Sequence, residues 1–218
     1  MGALIKRDIL LAWRSGGAWL LGVIFFLLFI TFCVIAAGGE APQLDAYGPA
    51  YIWLALLFAT LLSFGAIFSD DLNDGTLEQL VLSGLTSFSV TVAKWVAFMI
   101  LTIGPVFILL PVVGVMLGLS VPRISGLALS VLFATPALAA YGVMAGALMA
   151  WRGKGGFLII LISAPFLIPV LIFGLAAVDS YARFGISAYE FRALGGLSLI
   201  AMAIGLPAAS AALTANLE

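Results

Sequence analysis

Six stretches of this chain each run for at least 24 residues without a charged side chain: Ser15–Gly39, Ala46–Ser69, Trp95–Pro122, Ile124–Trp151, Gly155–Val178 and Ala193–Leu217. A helix crosses the hydrocarbon core of a bilayer with about 20 apolar residues at a rise of about 1.5 Å each. Each run is long enough to do so. They predict an all-α polytopic membrane protein with six transmembrane helices, at about 17–37, 50–68, 94–120, 126–150, 156–177 and 194–216. Together these make a single transmembrane domain over residues 1–218. A seventh charge-free run, Gln79–Ala93, is short and rich in Ser and Thr, and reads as a connector. The first run is longer than the roughly 7–15-residue core of a signal peptide and reads as an uncleaved span.

Composition closes off other classes. Hydrophobic residues make up 64% of the chain and charged residues 9%, too few to cover a water-soluble domain of 218 residues. A net charge of −1 offers no basic field for nucleic acid. There is one cysteine, Cys33, inside the first span, and no histidine. An internal disulfide framework is therefore impossible, and the commonest general base and metal ligand is missing. No GxxxxGK[ST] loop occurs, so ATP hydrolysis by that route must come from another subunit. No span carries a charge at its middle, unlike most proton-coupled carriers.

Lysine and arginine placement sets orientation. With the N-terminus inside, Lys6, Arg7, Arg14, Lys94, Arg152 and Lys154 are cytoplasmic, and Arg123, Arg183 and Arg192 lie outside. Residues 3–14 read as an interfacial helix, with Ile5, Ile9, Ala12 and Trp13 on one face and Arg7 and Arg14 opposite. Glu40–Pro49, with Pro42 and Pro49, reads as an unstructured external loop. Pro122-Arg123 reads as a tight external turn, and Arg152–Gly156 as a tight internal one. Asp179–Arg192 reads as an aromatic external segment. Prolines 105, 111, 136, 165, 169 and 207 fall inside spans, where each frees a carbonyl. Gly114–Gly118 and Gly142–Gly146 have the GxxxG spacing that permits close helix contact.

Four of the ten acidic residues fall within Asp70–Glu78, between spans two and three. Thr76-Leu77-Glu78-Gln79 fits a capping box, Gly75 allows a break before it, and Asp74 and Glu78 suit the positive end of a helix dipole. Leu77, Leu80 and Val81 make an apolar face. The segment reads as a short cytoplasmic helix that meets a protein partner. The plainer alternative is a capped return into the membrane.

The pattern Phe68-x-x-Asp71-x-x-Asp74-Gly75-Thr76-Leu77-Glu78-Gln79-Leu80 resembles the signature of the haem exporter protein B (CcmB) family. The similarity extends to the basic N-terminal stretch, the region of Trp53, Leu161–Phe173 with Pro165 and Pro169, and Ala176–Asp179. That resemblance implies a permease subunit like those of type-2 ABC exporters, in the inner membrane of a bacterium. Residues 3–14 would be the amphipathic elbow helix. Residues 70–93 would be the coupling segment, with Phe68, Asp71, Asp74, Gly75, Thr76, Leu77, Glu78, Gln79 and Leu80 docking an ATPase. The implied partners are the ATPase subunit CcmA, the haem-handling CcmC, the small protein CcmD and, indirectly, the haem chaperone CcmE, with two copies of this chain per complex. This chain would be non-catalytic, with ATP bound by the ATPase and haem handled by a neighbour, since without histidine only Cys33, the methionines and the tyrosines remain to ligate iron. A stand-alone channel or secondary carrier, and a scaffold that transports nothing, are the competing readings.

The orientation is checked by cysteine labelling in intact cells. Cysteines placed at Gln43 and Ser187 should react with an impermeant thiol reagent, whereas one at Asn73 should be protected.

Overall fold

The computed structural model describes residues 1–15, 18–38, 41–150 and 156–217. Among these every regular element is helical: α1 (Gly2–Ser15), α2 (Ala18–Ala36), α3 (Ala41–Phe64), α4 (Ala66–Asn73), α5 (Thr76–Leu82), α6 (Ser87–Phe98), α7 (Gly104–Met116), α8 (Val121–Ala150), α9 (Gly156–Phe184) and α10 (Tyr189–Leu217). A π-helical segment, Met99–Ile103, joins α6 to α7, and a 3₁₀ turn, Gly185–Ser187, joins α9 to α10. Five helical stretches are long and apolar enough to cross a membrane: Pro42–Asn73, Ser87–Met116, Val121–Leu148, Ser163–Ser187 and Tyr189–Ala215. Leu20–Ala36 is a sixth apolar helical stretch, shorter than these.

Most of the helices run past one end of their charge-free run, and Pro42–Asn73 runs past both. The chain at 41–49 is helical rather than a loop. Pro42 sits in the first turn of α3, where its missing N–H has no intrahelical partner to lose, and Pro49 is accommodated inside the helix. Pro122 occupies the same kind of position in α8, so Pro122-Arg123 starts a helix and the connection falls at Leu117–Ser120. Asp179–Arg192 is mostly helical too. Phe191 is buried there against Phe133 and Tyr181, while Phe184 and Tyr189 face outward. Residues 151–155, with the expected turn at Arg152–Gly156, lie outside the described residues, as does Glu40.

Helix α8 is the hub. Its most apolar stretch is 67% buried, against 33% for those of α9 and α10. Small residues let its neighbours approach. A methyl group built on Gly142 would meet the Phe64 ring at 2.5 Å, and one on Gly146 the Phe64 carbonyl at 3.0 Å. The Gly142–Gly146 pair thus receives the junction of α3 and α4. Of the other such pair, Gly114 lies against Ile124, but Gly118 does something else. At φ +69° it ends α7, with the Leu119 N–H reaching back to the Gly114 carbonyl at 2.9 Å. Around Pro136, neighbours donate to α8 carbonyls: Trp95 Nε1–H to Pro136 O at 3.1 Å, and Ser198 Oγ–H to Phe133 O at 2.5 Å.

Pro105 explains the break in span three. It cannot donate to a carbonyl one turn back, and the preceding turn widens. The Gly104 N–H bonds to the Met99 carbonyl, five residues earlier. At the end of the bundle remote from α1, Arg123 ties the starts of α8 and α3 together through the Asp45 carboxylate, 2.9 Å away, and the Asp45 carbonyl.

Among the described glycines the tightest approach is that of α9 on α3. A methyl group on Gly174 would lie 2.2 Å from the Trp53 ring, which is fully buried. Gly174→Ala should therefore cost about 1–3 kcal/mol through overpacking. It should lower the midpoint of thermal unfolding in detergent, and Trp53→Leu in the same chain should recover part of the loss.

Candidate functional site

The site lies where α3 leaves the bundle and the chain turns back into α6. A slight break at Gly65 leads into α4, so span two continues to Asn73. Two glycines with left-handed backbone then set the path: Gly75 at φ +67° and Gly84 at φ +89°. Between them lies α5. Beyond, Thr86 caps α6, its Oγ1 accepting from the Ser89 N–H at 3.2 Å. Residues 87–93 therefore belong to the helix of span three, and the stretch between spans is confined to Asp74–Thr86. Thr76 is the first residue of α5 rather than its cap. Gly75 precedes the helix, and its carbonyl accepts from the Gln79 N–H at 3.4 Å.

The motif divides into an inward and an outward half. Phe68 and Leu77 are each 1% exposed, and both belong to the core, with Leu80 packed partly against it. Gly75 and Thr76 are half-buried. Asp74, Glu78 and Gln79 are exposed, and so is Leu82, at 86%. Glu78 and Leu82, four residues apart, share the outer face of α5, with Glu78 in its first turn. Leu82 was not anticipated as a site residue, although its spacing from Glu78 is the signal that would have found it. The side chain of Val81 is not among those described.

Asp71 turns inward. It is 6% exposed and closes a ring of four charges drawn from three helices. The Arg7 guanidinium, through Nη2, lies 2.6 Å from Asp71 Oδ1 and 2.8 Å from Asp8 Oδ1. The Lys94 ammonium meets the other oxygen of each carboxylate, Asp8 Oδ2 at 3.2 Å and Asp71 Oδ2 more closely still. Each acid thus bridges both cations, and each cation both acids. Lys94 also sits 5.9 Å from the centre of the Phe68 ring. The side chains of Asp8, Asp71 and Lys94 are 6%, 7% and 11% exposed, so the charges balance where hydration is poor.

This arrangement corrects two expectations. Arg7 turns inward from α1 rather than toward lipid headgroups. Lys94 lies two turns inside the helix Ser87–Met116 rather than at its flank. The buried stripe of α1 is Leu4 and Asp8, with Ile5, Arg7, Ile9 and Ala12 half-buried, while Trp13 and Arg14 are exposed. Beside the ring is a cavity of about 660 Å³ between α1, α4 and α6, whose walls include Arg14, Asp70, Asp74 and Thr102. Among the described residues, no three His, Cys, Asp or Glu side chains gather as a metal ion would require.

The family model for the CcmB protein matches residues 1–216. The chain is similar to "Heme exporter protein B" of Bradyrhizobium diazoefficiens, 36% identical over 219 residues that cover 100% of this chain and 99% of that one. Its counterpart in Rhodobacter capsulatus is 34% identical over 218 residues, 100% of both chains. That of Haemophilus influenzae is 34% identical over 215 residues, 99% of this chain and 97% of the other.

The two faces of α5 should respond differently to truncation. Leu77→Ala removes a core side chain and should destabilise the purified chain by about 2–4 kcal/mol. Leu82→Ala should leave stability within about 0.5 kcal/mol of the parent. Thermal unfolding in detergent, without any partner, measures both.

Proposed function

The chain belongs to the CcmB family, and we propose that it is the membrane subunit of an ATP-driven complex for haem export or delivery in c-type cytochrome biogenesis. It spans the bacterial inner membrane six times, α2 being the first crossing, with both termini in the cytoplasm. The observation that carries this reading is the outer face of α5. A short helix is held between two spans by a buried leucine and two left-handed glycines, and it turns Glu78, Gln79 and Leu82 outward beside the exposed Asp74. A return into the membrane alone would not need a leucine exposed beside carboxylates. An interface of that composition takes affinity from the apolar side chain and register from the charges.

In this reading α5 docks the ATPase subunit CcmA, which binds and hydrolyses ATP. CcmC and CcmD complete the membrane assembly around two copies of this chain, and the work is spent on releasing haem-loaded CcmE. The chain performs no chemistry and ligates no haem. It has no histidine, and Cys33 lies within α2. It passes motion from α5 to its neighbours.

The test is copurification. Asp74→Lys with Glu78→Lys should reduce recovery of the ATPase at least tenfold by reversing the charge of the docking face. Leu82→Ala should weaken docking by about 1–2 kcal/mol. Neither touches a span, so the amount of this chain in the membrane should not change. Full ATPase retention and normal cytochrome c maturation when Asp74→Lys, Glu78→Lys and Leu82→Ala are combined would remove the assignment.

A further inference from the structure

The closed ring of Arg7, Asp8, Asp71 and Lys94 is not needed to satisfy the docking face, and none of its members lies on the outer side of α5. It joins three elements that sequence order keeps apart: α1, the end of α4 and the lower half of span three. We propose that Asp71 and Lys94 are positioning residues for energy coupling. Through the ring, displacement of the docking helix is delivered to the N-terminal interfacial helix and to span three as one body. This rests on the coupling reading of α5 and adds a route to it.

Geometry carries the inference. Asp71 stands five residues before α5, separated from it by the Asp74-Gly75 turn. Its two oxygens are divided between Arg7 and Lys94, so α4 cannot shift without opening a contact to α1 and another to α6 at once. The same holds for Asp8, whose oxygens are shared between the same two cations. A single ion pair could swivel, but a ring in which every group has two partners resists rotation about any one contact. Poor exposure strengthens the attraction among its members relative to that of a solvated pair. Nothing else among the features of α1 calls for an acid on its buried stripe beside Leu4. The cavity along one side of the ring leaves α1 and α4 without continuous apolar packing there, which places more of their registration on the charges.

The experiment uses the whole complex, purified with its ATPase, together with cells scored for covalently haem-bearing c-type cytochrome. Asp71→Asn keeps the shape but turns one acceptor oxygen into a donor and removes one charge from the ring. The chain's membrane content, ATPase recovery and ATP hydrolysis should each stay within twofold of the parent, while cytochrome formation falls at least tenfold. Hydrolysis would continue uncoupled. Arg7→Gln should behave alike, whereas Asp71→Glu, which keeps the charge and both carboxylate oxygens, should retain at least half of the output. A loss of output that merely tracks the chain's abundance or its ATPase content would overturn the proposal, as would an unchanged ratio of output to hydrolysis. Failure of both Asp71→Asn and Asp71→Glu to accumulate would assign the ring to folding and overturn it equally. The docking assignment fails separately, on ATPase recovery with Asp74→Lys and Glu78→Lys.

Discussion

Close contact along α8 is the interaction from which the rest of the bundle follows. Lipid tails are as apolar as leucine, so helices in a bilayer gain little by hiding apolar side chains from one another, and van der Waals fit and hydrogen bonds must hold them. Helix α8 meets that requirement with residues that have almost no side chain. Gly142 and Gly146 admit Phe64 and Phe68, and the Ala140 backbone lies close under Gly205 of α10. Where Phe64 settles on Gly142 decides where α3 ends and α4 begins. That junction in turn places Asp71 one element away, against Arg7 and Lys94. A packing contact between uncharged residues thus determines the position of the most highly charged part of the molecule.

The architecture was legible because charge-free length is a direct physical requirement of a membrane helix. The long apolar helices, the N-terminal helix and the short helix near Thr76 all follow from patterns within a few turns of sequence. The helix ends were less legible. Polar and proline-containing flanks such as Ala41–Pro49 and Ser87–Ala93 continue the helices, since a first-turn proline loses nothing and a Thr86 cap is satisfied locally. Gly118 shows how one spacing serves two purposes, since half of a GxxxG pair is a helix terminator.

The candidate site was legible as a segment but not as a surface. Asp71, Asp74 and Glu78 look equivalent in sequence. Only the left-handed turn at Gly75 separates them, sending Asp71 inward and Glu78 outward. The partners of Asp71 stand 64 residues before it, at Arg7, and 23 after it, at Lys94. No local period relates such positions, and both cations have an ordinary explanation as inside-positive flanks. Leu77 misled for the opposite reason. An apolar residue on a short amphipathic helix serves the core of its own chain as readily as that of another.

The π segment at Met99–Ile103 divides span three into two lengths of ordinary helix. Its wider turn holds one more residue than an α-turn, and the proline that follows cannot restore the missing bond. Lys94 and Trp95 belong to the lower length, and the upper one begins at Gly104. The span is therefore two levers in series rather than a single rod. The lower lever is gripped by charge on one side and by the Pro136 carbonyl on the other, while the upper one is held by α8 through Gly114 and Ile124. A tilt imposed near the charged end meets a compliant joint before it reaches the far side of the membrane, so the two leaflets see different movements of the same helix.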